Sequence, residues 1–263
     1  MNTHLTSILL LAASVVLATS CHGAMDADDA TESADSIPAD SMGLEPLDLF
    51  EDEVIPESAD ELFDDFLYSY ITNSDFMRQR TARGIQPMTM GDEQPLVVIY
   101  EREEDLMLQK DTAVNEVMVE RIDWSDDTIL MYWFAKKAGR WMLNEVADNE
   151  ISNTPNASFL VFLHDFLSDS LYRSESIRMP LIMRYYSEED EAEVESEMTA
   201  DEWNALYADL PDMSQQIINV DYGQSLFSKN RKSIQLQGLS NGLFMKFHFD
   251  FTDGRWRLIG IDG

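Results

Sequence analysis

Apolar positions in this chain follow two different periods, and the change of period lays out the elements. Leu62 to Ile71 (LFDDFLYSYI) and Ser158 to Leu167 (SFLVFLHDFL) share one spacing: Phe63, Phe66, Leu67, Tyr70 and Ile71 match Phe159, Phe162, Leu163, Phe166 and Leu167 at a constant offset of 96 residues. Positions i, i+3, i+4, i+7 and i+8 form one face of an α-helix. Ser58-Ala59-Asp60-Glu61 is a capping box, which predicts that the first helix starts at Ser58 and runs to about Asn73. Asn156 is a candidate N-cap for the second, Ala157 to Ser170. Phe76, Arg78 and Arg80 fall on a short further helix that ends before Gly84 and Pro87.

Elsewhere the segments are rich in β-branched and aromatic residues and bounded by turn signals, so they read as strands. In the first half these are Pro95 to Glu101, Asn115 to Trp124, Thr128 to Lys136 and Arg140 to Val146. In the second they are Met179 to Tyr186, Gln216 to Tyr222, Ser233 to Gly238, Leu243 to Phe251 and Arg255 to Ile261. Asp126-Asp127, Ala138-Gly139, Ser240-Asn241-Gly242 and Thr252-Asp253-Gly254 supply the turns, which predicts antiparallel meanders. Thr199-Ala200-Asp201-Glu202 is another capping box, and it opens a helix carrying Trp203, Leu206, Tyr207 and Leu210 on one face. Each half ends alike, in Gly139-Arg140-Trp141 and Gly254-Arg255-Trp256. The expected architecture is α+β: two tandem repeats, residues 58–150 and 151–263, each a covering helix on a curved antiparallel sheet.

The N-terminus carries a different message. Residues 5–20 form an uncharged apolar run of signal-peptide length that stops in small residues before Cys21, the only cysteine. With a single thiol, no disulfide can form within the chain. From Ala24 to Asp60 there are 13 acidic residues and no Lys or Arg, a composition that cannot bury enough apolar surface to offset its ordering entropy. The expected plan is therefore a signal peptide at 1–20 and an acidic tether at 21–57, ahead of the repeats. Net charge is −32, and no basic, aromatic-laced patch outweighs it, so nucleic acid is excluded as a partner.

Leu17-Ala18-Thr19-Ser20-Cys21 resembles the lipobox of a bacterial lipoprotein. The resemblance implies cleavage before Cys21, acylation of its thiol, and a lipid anchor in the outer membrane of a Gram-negative cell envelope. The helix, curved sheet and Gly-Arg-Trp hairpin together resemble nuclear-transport-factor-2-like (NTF2-like) domains. More narrowly, the chain resembles Bacteroidetes lipoproteins of a family of unknown function, the one numbered 4348. Members of the superfamily often hold a pocket between helix and sheet, some for isomerisation or hydration and many for binding alone. No Asp or Tyr/Asp constellation matching those enzymes is found in the sequence.

Candidate chemistry is sparse. Gly238-Leu239-Ser240-Asn241-Gly242 fits the pattern of a nucleophile elbow, but its flanks read as two strands around a hairpin, where an elbow needs a strand and then a helix. His164 and His248 are the two histidines of the folded part, too few for a three-ligand zinc site without carboxylates; brought together, they would make a general base arguable. The acidic run Ser187 to Glu197 lacks the EF-hand spacing and reads as a solvated loop. Trp133, Trp141, Trp203, Tyr222 and Trp256 are the expected lining of any concavity, with His164 and His248 beside them and Arg178 as a candidate anion contact. These features favour a non-catalytic lipoprotein that binds a small ligand or an envelope protein, with no metal or cofactor. Two alternatives remain: an isomerase- or hydratase-like enzyme using a pocket carboxylate or histidine, and a structural protein acting through its surface.

Overall fold

The structure, a computed structural model, describes residues 62–91, 94–239 and 242–263. The apolar run 5–20, Cys21, the acidic tether, the Ser58 capping box, and Ser240 and Asn241 lie outside the described residues. No helix among the described residues is long and apolar enough to cross a membrane.

Both halves open on a helix pair. Helix α1 (Phe63–Thr72) leads into α2 (Ser74–Gln79) through Asn73, whose side-chain oxygen accepts from the N–H groups of Asp75 and Phe76. In the second half α3 (Ala157–Ser168) leads into α4 (Ser170–Glu175) through Asp169, which accepts from Leu171 and Tyr172 in the same way. Asn156 occupies the N-cap position of α3, but its side chain makes no capping bond. A third long helix, α5 (Ala200–Ala208), opens on the full capping box of Thr199 and Glu202.

The strands are β1 (Leu96–Tyr100), β2 (Glu116–Asp123), β3 (Thr128–Lys137), β4 (Arg140–Glu150), β5 (Ile177–Ser187), β6 (Ala192–Met198), β7 (Gln216–Asp221), β8 (Arg231–Gln237), β9 (Phe244–Thr252) and β10 (Arg255–Asp262). Tight hairpins join β3 to β4 and β9 to β10, with positive φ at both central residues, Ala138-Gly139 and Asp253-Gly254. Part of the acidic run forms β6 rather than a loop: Glu193, Glu195 and Glu197 alternate with Val194, Ser196 and Met198 and pair with β5 at the sheet edge. Charged side chains suit an edge strand, because they discourage further pairing.

All ten strands belong to one sheet, in the order β4-β3-β2-β7-β1-β8-β9-β10-β5-β6. This departs from two separate meanders. β1 leaves its own half to pair antiparallel with β8, and β7 leaves its half to pair antiparallel with β2; β1 and β7 then run parallel to each other at Leu96↔Ile218 and Val97↔Asn219. The physical reason lies in the sequences LVVIY, apolar without a break, and IINV, apolar but for Asn219. Both runs are buried on both faces, which only a central strand can achieve. Leu96 and Val98 pack in a core with α1, and Val97 and Ile99 pack in another with α3. Since successive side chains point to opposite faces, α1 covers one face of the sheet and α3 the other.

The two cores repeat a ring geometry. Phe63 stands 5.4 Å from Phe134 and 5.0 Å from Trp141, while Phe159 stands 5.5 Å from Phe249 and 5.0 Å from Trp256. Phe66 and Phe162 each lie 6.3 Å from the local tryptophan at an interplanar angle of 32°. These edge-to-face and tilted contacts pack the aromatic centre of each helix–sheet interface.

Candidate functional site

Open space lies where each helix stops covering the sheet. One such opening is a cleft of about 520 Å³ on the α3 face, over β7, β2 and β3. Its walls are Ile99, Met118, Ile129, Met131, Trp133 and Leu160, closed at the rim by the 223–227 loop and by the N-terminal end of α3. Trp133 is 41 % exposed there, and Phe227 is 87 % exposed.

The floor is set by the seam between β1 and β7. Those strands share two paired positions and then part, which would strand the peptide groups of Ile99. Two side chains close the gap. Asn219 Oδ1 accepts from the Ile99 N–H at 3.0 Å, and Gln224 Nε2 donates to the Ile99 carbonyl at 2.9 Å. With its oxygen so held, Asn219 turns its amide nitrogen to Glu120 Oε2 at 2.7 Å. Asp221 Oδ1 accepts from the Gly223 N–H at 2.8 Å. Glu120 and Asp221 thus stand in an apolar recess, and no Lys, Arg or His is among the described residues that line it. Burial pushes the Glu120 carboxyl above the ordinary carboxylate range; the Asn219 hydrogen bond draws it back in part, and the Asp221 charge adds to the rise. Asp221 is raised by burial too, against the pull of the Gly223 and Gln224 N–H groups.

On the opposite face, Ser233, His248 and Asp262 from β8, β9 and β10 form a chain. His248 Nδ1 is 2.9 Å from Ser233 Oγ, and His248 Nε2 is 2.9 Å from Asp262 Oδ2. The order imitates a hydrolase triad without its means of stabilising an oxyanion. Ser233 is buried in mid-strand, and β8 is paired on both sides, so its peptide N–H groups are spent on the ladders. Glu103, His248 and Asp262 could also converge on a metal, their ligand atoms lying within 4.8 Å of one another. Two cations already hold those carboxylates: Lys246 Nζ is 2.6 Å from Glu103, and Arg184 is 3.6 Å from Asp262. Around this groove Arg231 pairs with Asp250, and on the facing side of the seam the buried Lys232 pairs with Glu101.

A third polar pair joins α1 to the end of β7. The Tyr222 hydroxyl donates to Asp64, across 158 residues of chain, beside a recess of about 460 Å³ lined by Asp64, Tyr68 and Gln237. This is a Tyr/Asp pair that the sequence reading did not find. Burial raises both groups, and the Asp64 charge raises the phenol further. The phenol proton is committed to Asp64, so the pair fastens the exchanged strand to α1.

Among the residues singled out from sequence, Trp133 alone lines the large cleft. Trp141, Trp203 and Trp256 are core, at 0 %, 1 % and 5 % exposure, because their strand or helix positions face inward; the indole N–H groups of Trp203 and Trp256 are buried without a partner. Tyr222 is core as well, edge-on to Phe63. His164 stacks on Trp124, ring centroids 5.3 Å apart. Phe247 and Phe249 turn toward α3, so His248 between them turns away from it, and the two histidines occupy opposite faces. Arg178 is exposed on β5, apart from the cleft. Cys21 lies outside the described residues.

Residues 90–262 match the family described as "Domain of unknown function (DUF4348)". The chain is also similar to a crystal structure of an NTF2-like protein from Bacteroides fragilis NCTC 9343, with a TM-score of 0.67 and 26 % sequence identity. That similarity covers 78 % of this chain and 96 % of the other, a larger share than either half could supply. No curated protein matches the chain.

Proposed function

We propose, from the premise that the chain belongs to the DUF4348 family and has an NTF2-like neighbour, that it is a non-catalytic binding protein whose ligand occupies the cleft over β7, β2 and β3. The observation that carries this reading is the cleft itself: apolar walls around a few polar groups held in place by the β1–β7 seam. Such concave, mostly apolar sites with few convergent polar groups are what small-molecule binding requires. The test is native mass spectrometry of the protein purified gently from its source. A discrete added mass, lost on activation and absent from Met131→Arg, is the expected result; a bare wild-type protein, or an adduct that Met131→Arg retains, overturns it.

A second reading is favoured by the raised Glu120 carboxyl, since a desolvated carboxylate is how a proton-transferring isomerase or hydratase poises its base. It expects deuterium to enter a carbon acid of the source metabolite pool in heavy water, and Glu120→Gln to stop it. Unlabelled pools with wild type end that reading.

The same proposal takes the chain as two NTF2-like units in tandem, 58–150 and 151–263, which trade β1 and β7. Support comes from the repeated ring geometry and from the length of the similarity to the Bacteroides fragilis protein. It also keeps the lipid anchor at Cys21 and an outer-membrane position, with the tether holding the binding unit off the bilayer. Cys21→Ala should move the protein from the membrane fraction to the soluble one. Failure of labelled fatty acid to attach to wild type refutes the anchor.

A further inference from the structure

The open valences of the cleft say what kind of head group it accepts. The donors of the β1–β7 seam beside the two carboxylates are already taken: both Gln224 Nε2 contacts go to backbone carbonyls, of Ile99 and Val220, and the Asn219 amide nitrogen goes to Glu120. The carboxylates themselves offer acceptors. Glu120 and Asp221 are carboxylates without a cationic partner among the described lining residues, and Asn156 Oδ1, in the wall, is buried without any donor. Asn219 lies opposite Glu120 in the β2–β7 ladder, and Asp221 is two residues further on. Glu120 and Asp221 are therefore diagonal neighbours on one face, about 7–8 Å apart and somewhat closer at Cβ. A spacing of that order suits one group that only donates, hydrogen-bonded to both.

The walls specify the remainder. Met118 stands between Asp221 and Trp133 in one row across the strands, and Met131 lies beside Glu120 in the next. Thioethers and an indole face suit an apolar body, and the indole also attracts a cation. Desolvated carboxylates near 4 Å from a cation in such surroundings interact several times more strongly than in water. An anionic ligand would meet the same two charges as repulsion. The N-terminal end of α3, positive through the aligned peptide dipoles, disfavours a cation, which sets the head group at the Glu120–Asp221 end.

We infer that the cleft binds a small organic cation with an apolar body, its ammonium or guanidinium group gripped between Glu120 and Asp221 and its body lying over Met118, Met131 and Trp133. This rests on the reading of the cleft as the binding site, and the experiment separates the two. The full chain, at about 0.15 M salt to screen its net negative charge, is titrated calorimetrically with n-hexylammonium, n-hexanol and hexanoate. Hexylammonium should bind at least tenfold more tightly than hexanol, and hexanoate should not bind. Glu120→Gln and Asp221→Asn keep the Asn219 and Gly223 hydrogen bonds through their amide oxygens; each should cost hexylammonium at least tenfold and leave hexanol unchanged. Trp133→Ala should weaken hexylammonium and hexanol alike. If hexanol or hexanoate equals hexylammonium, or if both carboxylate variants bind it as wild type does, the cation assignment is wrong while the cleft stands. If none of the three probes binds, both fall.

Discussion

The two halves of the molecule have the same filled interior and contrasting open faces. Under α1 and under α3, a phenylalanine ladder closes on a tryptophan from the last hairpin with nearly equal distances, so the centre of each helix–sheet interface is packed with rings. Beyond the helices the halves part company. Trp133 and His248 each sit beside the bulge of their hairpin, opposite Met118 and Ser233 respectively. Beside the first hairpin that surface is methionine and tryptophan around Glu120 and Asp221, carboxylates with no cation among the described residues that line it. Beside the second it is a self-paired lattice of Ser233, His248, Asp262, Arg184, Lys246 and Glu103. A polar surface whose groups satisfy one another has nothing to offer a ligand, whereas one whose charges are left over does. Similar scaffolds thus give a closed face and an open one.

The largest effect should fall where the halves agree. Trp141→Ala and Trp256→Ala each remove a fully enclosed indole and should cost about 4 kcal/mol in chemical denaturation, with little difference between them. A cost confined to one would break the equivalence of the cores. Next comes the self-paired side of the seam. Lys232→Met leaves Glu101 charged in a nearly dry setting and should cost about 3 kcal/mol, whereas Lys232→Met combined with Glu101→Leu should recover most of the loss. Ser233→Ala removes only one neutral hydrogen bond to His248 and should cost about 1 kcal/mol.

Helices and hairpins were legible in the sequence because each carries its own period: the Phe63 and Phe159 faces, and the Asp-Gly and Ala-Gly turns. Strand exchange was not, since pairing partners leave no mark on local alternation. One signal was present. Leu96 to Tyr100 is apolar without interruption, the pattern of a strand buried on both faces, and a strand beneath a single covering helix would have alternated. β6 was hidden by its glutamates, whose charge reads as loop while their spacing reads as strand. The carboxylates of the cleft were illegible for a different reason. Glu120 looks like any polar residue on the outer face of an alternating strand, and the groups gathered around it, Asn219 and the 223–227 loop, are about a hundred residues away in sequence.

The desolvation of Glu120 gives the finest test of the contrast between faces. Glu120 has a folded-state pKa raised above its ordinary value of 4.5, by burial first and by the Asp221 charge besides. A carboxyl with a raised folded pKa favours folding while protonated, and that contribution is lost as pH climbs from the ordinary value through the raised one. Wild-type stability should therefore decline across this window, in part because of Glu120. Glu120→Gln keeps an oxygen for Asn219 and removes the charge, so it should be more stable than wild type at neutral pH and indistinguishable from it below about pH 4. The comparison variant is Asp250→Asn on the self-paired face, where the carboxylate is held by Arg231 and no such gain should follow. Thermal denaturation of the three proteins at several pH values decides it. A neutral-pH gain in Asp250→Asn as large as that in Glu120→Gln would trace the effect to the overall net charge of −32, and the cleft would lose its claim to be the one face with charge to spare.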